Sequence, residues 1–186
     1  RRAVCGLSRK NYNKVFAQQL KKLIDGELSA ASLRAVLSSL TGDASRWPTD
    51  NEFRQQWLVG PAYPGRLDAA KLRAVFHRLE TAMRTERSEE RVPLDLDALD
   101  IDHVMPQAWT AHWPLSDGTS VTAEESAAAA IKRFTPEGLD ARSNAILLRQ
   151  DAIPRLGNLT LVHYGVNRSL QNSAFAAKRK ALFDHS

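Results

Sequence analysis

Cysteine is nearly absent from this 186-residue chain. Cys5 stands alone, which excludes an internal disulfide and any cysteine-rich zinc site. A reducing compartment, the cytoplasm, is therefore the default expectation. No apolar run approaches the roughly 18 residues of a membrane span, so a soluble protein with no membrane partner is expected. The opening Arg1-Arg2-Ala3-Val4-Cys5 lacks both the apolar stretch of a secretory signal and a Met, and reads as the start of a piece cut from a longer polypeptide. Acid is the scarcer charge, with 21 Asp and Glu against 26 Lys and Arg. A net charge of +5 points to a polyanionic partner, but its distribution says more than its total.

What is present suffices for one good core with a helical annex. Residues 1–25 carry seven basic groups against Asp25, and residues 141–186 carry Arg142, Arg149, Arg155, Arg168, Lys178, Arg179 and Lys180 against Asp151 and Asp184. Between them, residues 86–102 hold seven acids and two bases. Basic flanks that attract phosphate around an acidic patch that attracts a cation would give this layout. A solvated mixed-charge surface would give the same counts.

The first 85 or so residues read as helices. In 8–24, Tyr12, Phe16, Leu20, Leu23 and Ile24 share a helical face behind Ser8 as N-cap. Ser29 or Ser32 opens a second helix through Leu40, and Asp50 is placed to cap a third around Phe53 and Trp57. A fourth, from Asp68 to about Glu86, offers Leu72, Val75, Phe76, Leu79 and Met83 for burial. These stripes read as core packing and carry no chemistry of their own. Alternating Leu94, Leu96, Leu99, Ile101 and Val104 predict a strand ending near Pro106. Thr122 and Glu125 form a capping box before an alanine-rich helix, and a further helical turn or two covers Ser143 to Arg149. Leu156 to Tyr164 has strand character, and 173–183 is helical. Strand, excursion, strand, helix is a ββα order with an insertion.

Phosphodiester hydrolysis near neutral pH needs a base to deprotonate water and a cation to neutralise developing charge. A histidine, with an unperturbed pKa of about 6.5, is such a base. Asp102 and His103 are neighbours, so on a strand they point to opposite faces and can share one site only where the strand ends or curls. Pro106 makes an ending there reasonable. Asp102 and the Asn167 side-chain carbonyl are oxygen ligands suited to magnesium, leaving positions open for water and phosphate. Asn158, after Gly157, is placed to turn its side chain toward the same loop. Singly, each signal has an ordinary reading: Asp-His as surface chemistry, Asn158 as a turn residue, Asn167 as a helix cap.

Together they form a pattern. Asp102-His103-Val104-Met105-Pro106-Gln107 resembles the opening of HNH endonucleases, and Asn158 followed nine residues later by Asn167 has the spacing of the later two motif asparagines in Cas9-type HNH domains. Leu156-Gly157-Asn158-Leu159-Thr160-Leu161, followed by Asn167, Leu170, Asn172, Phe175 and Lys178, is similar to the C-terminal nuclease domain of GmrSD-type modification-dependent restriction enzymes, a domain shared with the phosphorothioate-sensing antiphage protein SspE. Tyr12-Asn13-Lys14 and Trp47-Pro48 fit the helical region that precedes it in that family. The resemblance implies an α+β, mostly helical fold: a helical region over 1–90, then an HNH (ββα-metal, His-Me finger) nuclease core over 91–186 with an insertion at about 107–155. It implies His103 as general base, Asp102 and Asn167 as ligands of magnesium or manganese, and Asn158 as the residue that orients the histidine. It also implies DNA as substrate, a role in restriction or phage defence, and an N-terminal nucleotide-hydrolysing sensor module outside this sequence. The departure is the gap of more than fifty residues between His103 and Asn158, far longer than in compact HNH enzymes.

Arg155, Arg168, Lys178 and Lys180 are the expected phosphate contacts. His112 and His163 lack cysteine partners and His-x-x-x-His spacing, so His163 is expected as support near the centre of the second strand. Trp109 and Trp113, beside Pro106 and Pro114, are expected to anchor the insertion rather than stack on bases. A catalytically silent DNA-binding or interdomain docking domain is the other reading. Competent residues at all four motif positions favour the nuclease.

Overall fold

A computed structural model describes the chain except for residues 9, 11, 25, 27–28, 85–94, 136–137, 171–172 and 185–186. It is mostly helical with one two-stranded sheet, an α+β architecture, and divides into two compact units, Arg1–Leu67 and Asp68–Ser186. The boundary expected near residue 90 falls within 85–94, outside the described residues. No described helix is long and apolar enough to cross a membrane.

The first unit contains α1 (Tyr12–Ile24), α2 (Ala30–Ser38) and α3 (Asp50–Val59). Ser29 caps α2 in a reciprocal capping box with Ser32, as expected from the sequence. The cap of α3 is Thr49 rather than Asp50: its side chain accepts the Glu52 backbone N–H, while Asp50 pairs with Arg1 and Arg34. Ser8, expected as the cap of α1, accepts the Lys10 backbone N–H with its hydroxyl and the Arg2 guanidinium with its carbonyl, while the described helix begins at Tyr12. Arg2 is buried and donates to the carbonyls of Ser8, Asp43, Ala44 and Arg46. Part of the N-terminal basic charge thus serves as an internal hub, because a guanidinium has enough donors to satisfy several loop carbonyls at once. On α1 only Leu23 of the aliphatic stripe is buried, while Leu20 and Ile24 face solvent.

The second unit begins with α4 (Ala69–Met83), capped by Asp68 as expected, with Leu72 fully buried but Leu79 and Met83 exposed. The sheet pairs β1 (Leu99–His103) antiparallel to β2 (Leu159–His163), in the register Leu99 to His163 through His103 to Leu159. The strand expected from Leu94 is shorter, since the Asp95 side chain accepts the Asp97 N–H and winds Leu96–Ala98 into a 3-10 turn. Such a hairpin is marginal alone. It is flanked by α7 (Tyr164–Leu170), which packs on both strands, and by α4, whose Arg73 donates to the Leu99 carbonyl at 3.0 Å.

Between the strands lie α5 (Ala123–Lys132) and α6 (Ala141–Ala152). Thr122 and Glu125 form the expected capping box of α5. Asp140 caps α6, and hydrogen bonds from Lys132 and Ser143 hold its carboxyl well below the usual carboxylate range. Met105, Trp109, Leu115, Val121, Ala129, Ile146 and Leu147 bury one another here. The segment expected as an insertion therefore contains the main apolar core of this unit. Trp113 joins it to α8 (Phe175–Asp184) by a hydrogen bond to the Ser173 carbonyl and an edge-on contact with Phe175.

Candidate functional site

β1 ends at His103, and both Asp102 and His103 are still paired in the ladder, opposite Thr160 and Leu159, with the irregular backbone beginning one residue later. Pro106 offers no N–H to extend a ladder, and the chain bends over Val104–Met105. The bend is held by Asn158, in the turn directly before β2. Val104 N–H donates to the Asn158 carbonyl at 2.8 Å, Met105 N–H to Asn158 Oδ1 at 2.8 Å, and Asn158 Nδ2 to the carbonyls of Met105 at 2.9 Å and Ile153 at 3.0 Å. Asn158 thereby does for the bend what a further ladder residue would do for a strand. Both ends of its amide are engaged by backbone, so any influence on His103 passes through the main chain.

Removing that amide has a calculable cost. Asn158→Ala strands the Met105 N–H and should destabilise by about 1–3 kcal/mol, the penalty for a part-buried donor left unpaired. Urea unfolding measures this, and Asn158→Asp should not recover it, since a carboxylate oxygen would then face the Met105 and Ile153 carbonyls to which the amide donates. A loss below about 0.5 kcal/mol would mean that water replaces the amide without difficulty.

Asp102 is nine-tenths buried, an unusual place for a carboxylate. Its partner is Lys178 on α8, whose Nζ lies 2.8 Å from Asp102 Oδ2 and 2.7 Å from the His103 carbonyl. The Lys178 side chain is 1% exposed. This corrects the expectation of Lys178 as a phosphate contact: a sealed ammonium with two internal acceptors has no surface to offer DNA. Sequence reasoning missed the pairing because it counted Lys178 with its neighbours Arg179 and Lys180, both exposed. Nothing in the local residue pattern of α8 sets Lys178 apart from those two.

Asn167 is not a cap but lies inside α7, half-buried, on the helix that packs against β1 and β2. Among the described residues no three His, Cys, Asp or Glu side chains gather as a metal cage. Asp102 and Asn167 lie on β1 and α7, elements in contact, and carry a carboxylate and an amide oxygen, donor types that a hard cation takes. His163 is corrected from a central support to an exposed residue at the end of β2, its Nδ1 accepting the Gly165 N–H. His112 is exposed on the far side of the Trp109–Ala111 turn in sequence.

Of the remaining expected phosphate contacts, Arg168 and Lys180 are exposed, with the Arg168 guanidinium 5.9 Å from the Tyr164 ring. Arg155 is half-buried, and its Nε has no partner among the described residues. Trp109 is buried, with Arg149 over its ring at 5.4 Å, and so serves packing.

Comparison with curated proteins and with solved structures finds no match. Residues 47–186 match the family described as GmrSD restriction endonucleases, C-terminal domain, a span that covers α3, all of the second unit and the whole of the site. With its two-stranded sheet, the Asn158 clasp and the buried Asp102 inside the matched span, the chain belongs to the GmrSD restriction endonuclease C-terminal domain family.

Proposed function

We propose that this domain is a divalent-metal-dependent DNA endonuclease of the HNH type, the effector of a restriction or phage-defence system, in which β1, β2 and α7 form the ββα centre. The observation that carries the reading is that Asp102 and His103 close β1 directly before a bend that Asn158 clasps at Met105. Family membership supports phosphodiester hydrolysis as the reaction class.

In this reading His103 accepts a proton from the attacking water, and its main chain is fixed on one side by the β2 ladder and on the other by Lys178. Asp102 and Asn167 would hold magnesium or manganese, which supplies charge neutralisation at the scissile phosphate and leaving oxygen. Arg168 and Lys180 position the duplex through its phosphates. Arg155 contributes there as well.

The test is supercoiled-plasmid nicking by the chain with magnesium, with manganese, and with a chelator. Cleavage should require the ion, and Asp102→Ala or Asn167→Ala should raise the magnesium concentration needed for half-maximal rate by about 10-fold or more, as expected when one of few protein ligands is lost. Cleavage that persists in chelator would refute the metal-dependent mechanism. Half-maximal concentrations unchanged in both variants would move the ion elsewhere.

A further inference from the structure

A lysine sealed inside a protein needs a reason, since an ammonium is almost never fully buried unless paired. Lys178 is sealed against two acceptors, both at the end of β1: one oxygen of Asp102 and the carbonyl of His103. Those two residues are the ligand and the base of the proposed centre. Among the described residues no hydrogen bond reaches the other carboxylate oxygen, Oδ1.

We propose that Lys178 is a positioning residue of this centre: its ammonium is a resident cation that anchors Asp102 by Oδ2, presents Oδ1 alone to the divalent ion, and fixes the His103 main chain. The assignment rests on the metal-dependent nuclease reading. Two consequences pull in opposite directions. The ammonium shares the carboxylate with the incoming ion and repels it, which weakens ion binding. By pinning the strand end it keeps His103 in line, which favours cleavage. At a spacing of a few ångströms, repulsion between the ammonium and a divalent ion outweighs the rotamer freedom that Asp102 would gain without its anchor. Loss of Lys178 should therefore tighten the ion while slowing the reaction, a split that a purely structural lysine would not produce.

The experiment uses the full chain and the variants Lys178→Met and Lys178→Arg. Manganese binding is measured without DNA by electron paramagnetic resonance, and cleavage separately as kcat and KM for plasmid. Lys178→Met should bind manganese several-fold more tightly and cleave about 10–100-fold more slowly, the usual cost of losing a partner that orients a ligand, with KM unchanged. Lys178→Arg, which keeps the charge, should bind manganese as wild type does. Lys178→Gln carries the same expectation as Lys178→Met and serves if the Met variant fails to fold. Unchanged or weaker manganese binding in the uncharged variants would overturn the assignment. A raised KM with a salt dependence shallower by about one phosphate contact would overturn it in favour of DNA binding. Wild type that binds manganese but cuts no DNA would sink the nuclease reading and leave the assignment of Lys178 to be decided by the manganese shift alone. Wild type that binds no manganese overturns both.

Discussion

His103→Ala should lower the rate of DNA cleavage by about 10²–10⁴-fold, the range a positioned general base contributes. DNA affinity and the melting transition should stay near wild type. The reason lies in what the substitution leaves in place. The backbone at position 103 keeps its ladder partner Leu159 and its carbonyl remains available to Lys178, so the strand end is held without the imidazole. The side chain is only half-buried, so little apolar contact is lost on truncation. A base acts in the transition state and contributes little to the ground-state complex, so kcat falls while binding does not. Single-turnover cleavage and fluorescence anisotropy on the same preparations separate the two quantities. A folded His103→Ala protein that cuts at the wild-type rate would give the role of base to another residue. One that loses DNA affinity in proportion to rate would make His103 a binding residue.

Trp109→Ala should destabilise the Asp68–Ser186 unit by about 3–5 kcal/mol, the usual cost of deleting a fully buried tryptophan from a packed core. Trp109 is 1% exposed and sits among Met105, Leu115, Val121, Ala129, Ile146 and Leu147, so its removal opens a cavity that none of these aliphatic side chains can fill by a simple rotamer change. The ring also lies beneath the Arg149 guanidinium, which would lose its partner face. Against a total stability of about 5–15 kcal/mol for an ordinary domain, the loss takes a third or more. Denaturant unfolding followed by tryptophan fluorescence should show a lower midpoint, and cleavage should fail at temperatures where the wild type is active. A shift under about 1 kcal/mol would mean that the core around Trp109 is not what holds the second unit together.

The two outcomes bear on different links between sequence and function. Met105 belongs both to the bend clasped by Asn158 and to the apolar cluster whose other members come from 107–155, so the two meet at that residue. Loss of the core should thus reach the site through Met105, whereas loss of His103 should leave the core untouched.

Much of the local structure was readable because its causes are local. The capping boxes at Ser29 and at Thr122, the Asp68 cap and the β-character of residues 159–163 depend on residues within one turn or one strand of each other. Thr49 was readable too, since Thr-x-x-Glu at 49–52 is the better capping pattern than Asp50 alone. The Asp102-His103 pair, the two asparagines and the family likeness also stand in the linear order of residues, and the family match covers them. What no local pattern contains is partnership over long separations. Asn158 meets Met105 across 53 positions, and Lys178 meets Asp102 across 76. Whether a lysine between Ala177 and Arg179 faces solvent or a carboxylate is decided by where α8 packs. Whether Arg2 greets a phosphate or four loop carbonyls is likewise decided by how those loops close around it. The sequence determined which chemical groups this protein possesses and most of the helices and strands that carry them. The tertiary structure alone decided which charges are sealed within it and which remain for DNA, because burial and pairing are properties of the packed chain and not of any segment of it.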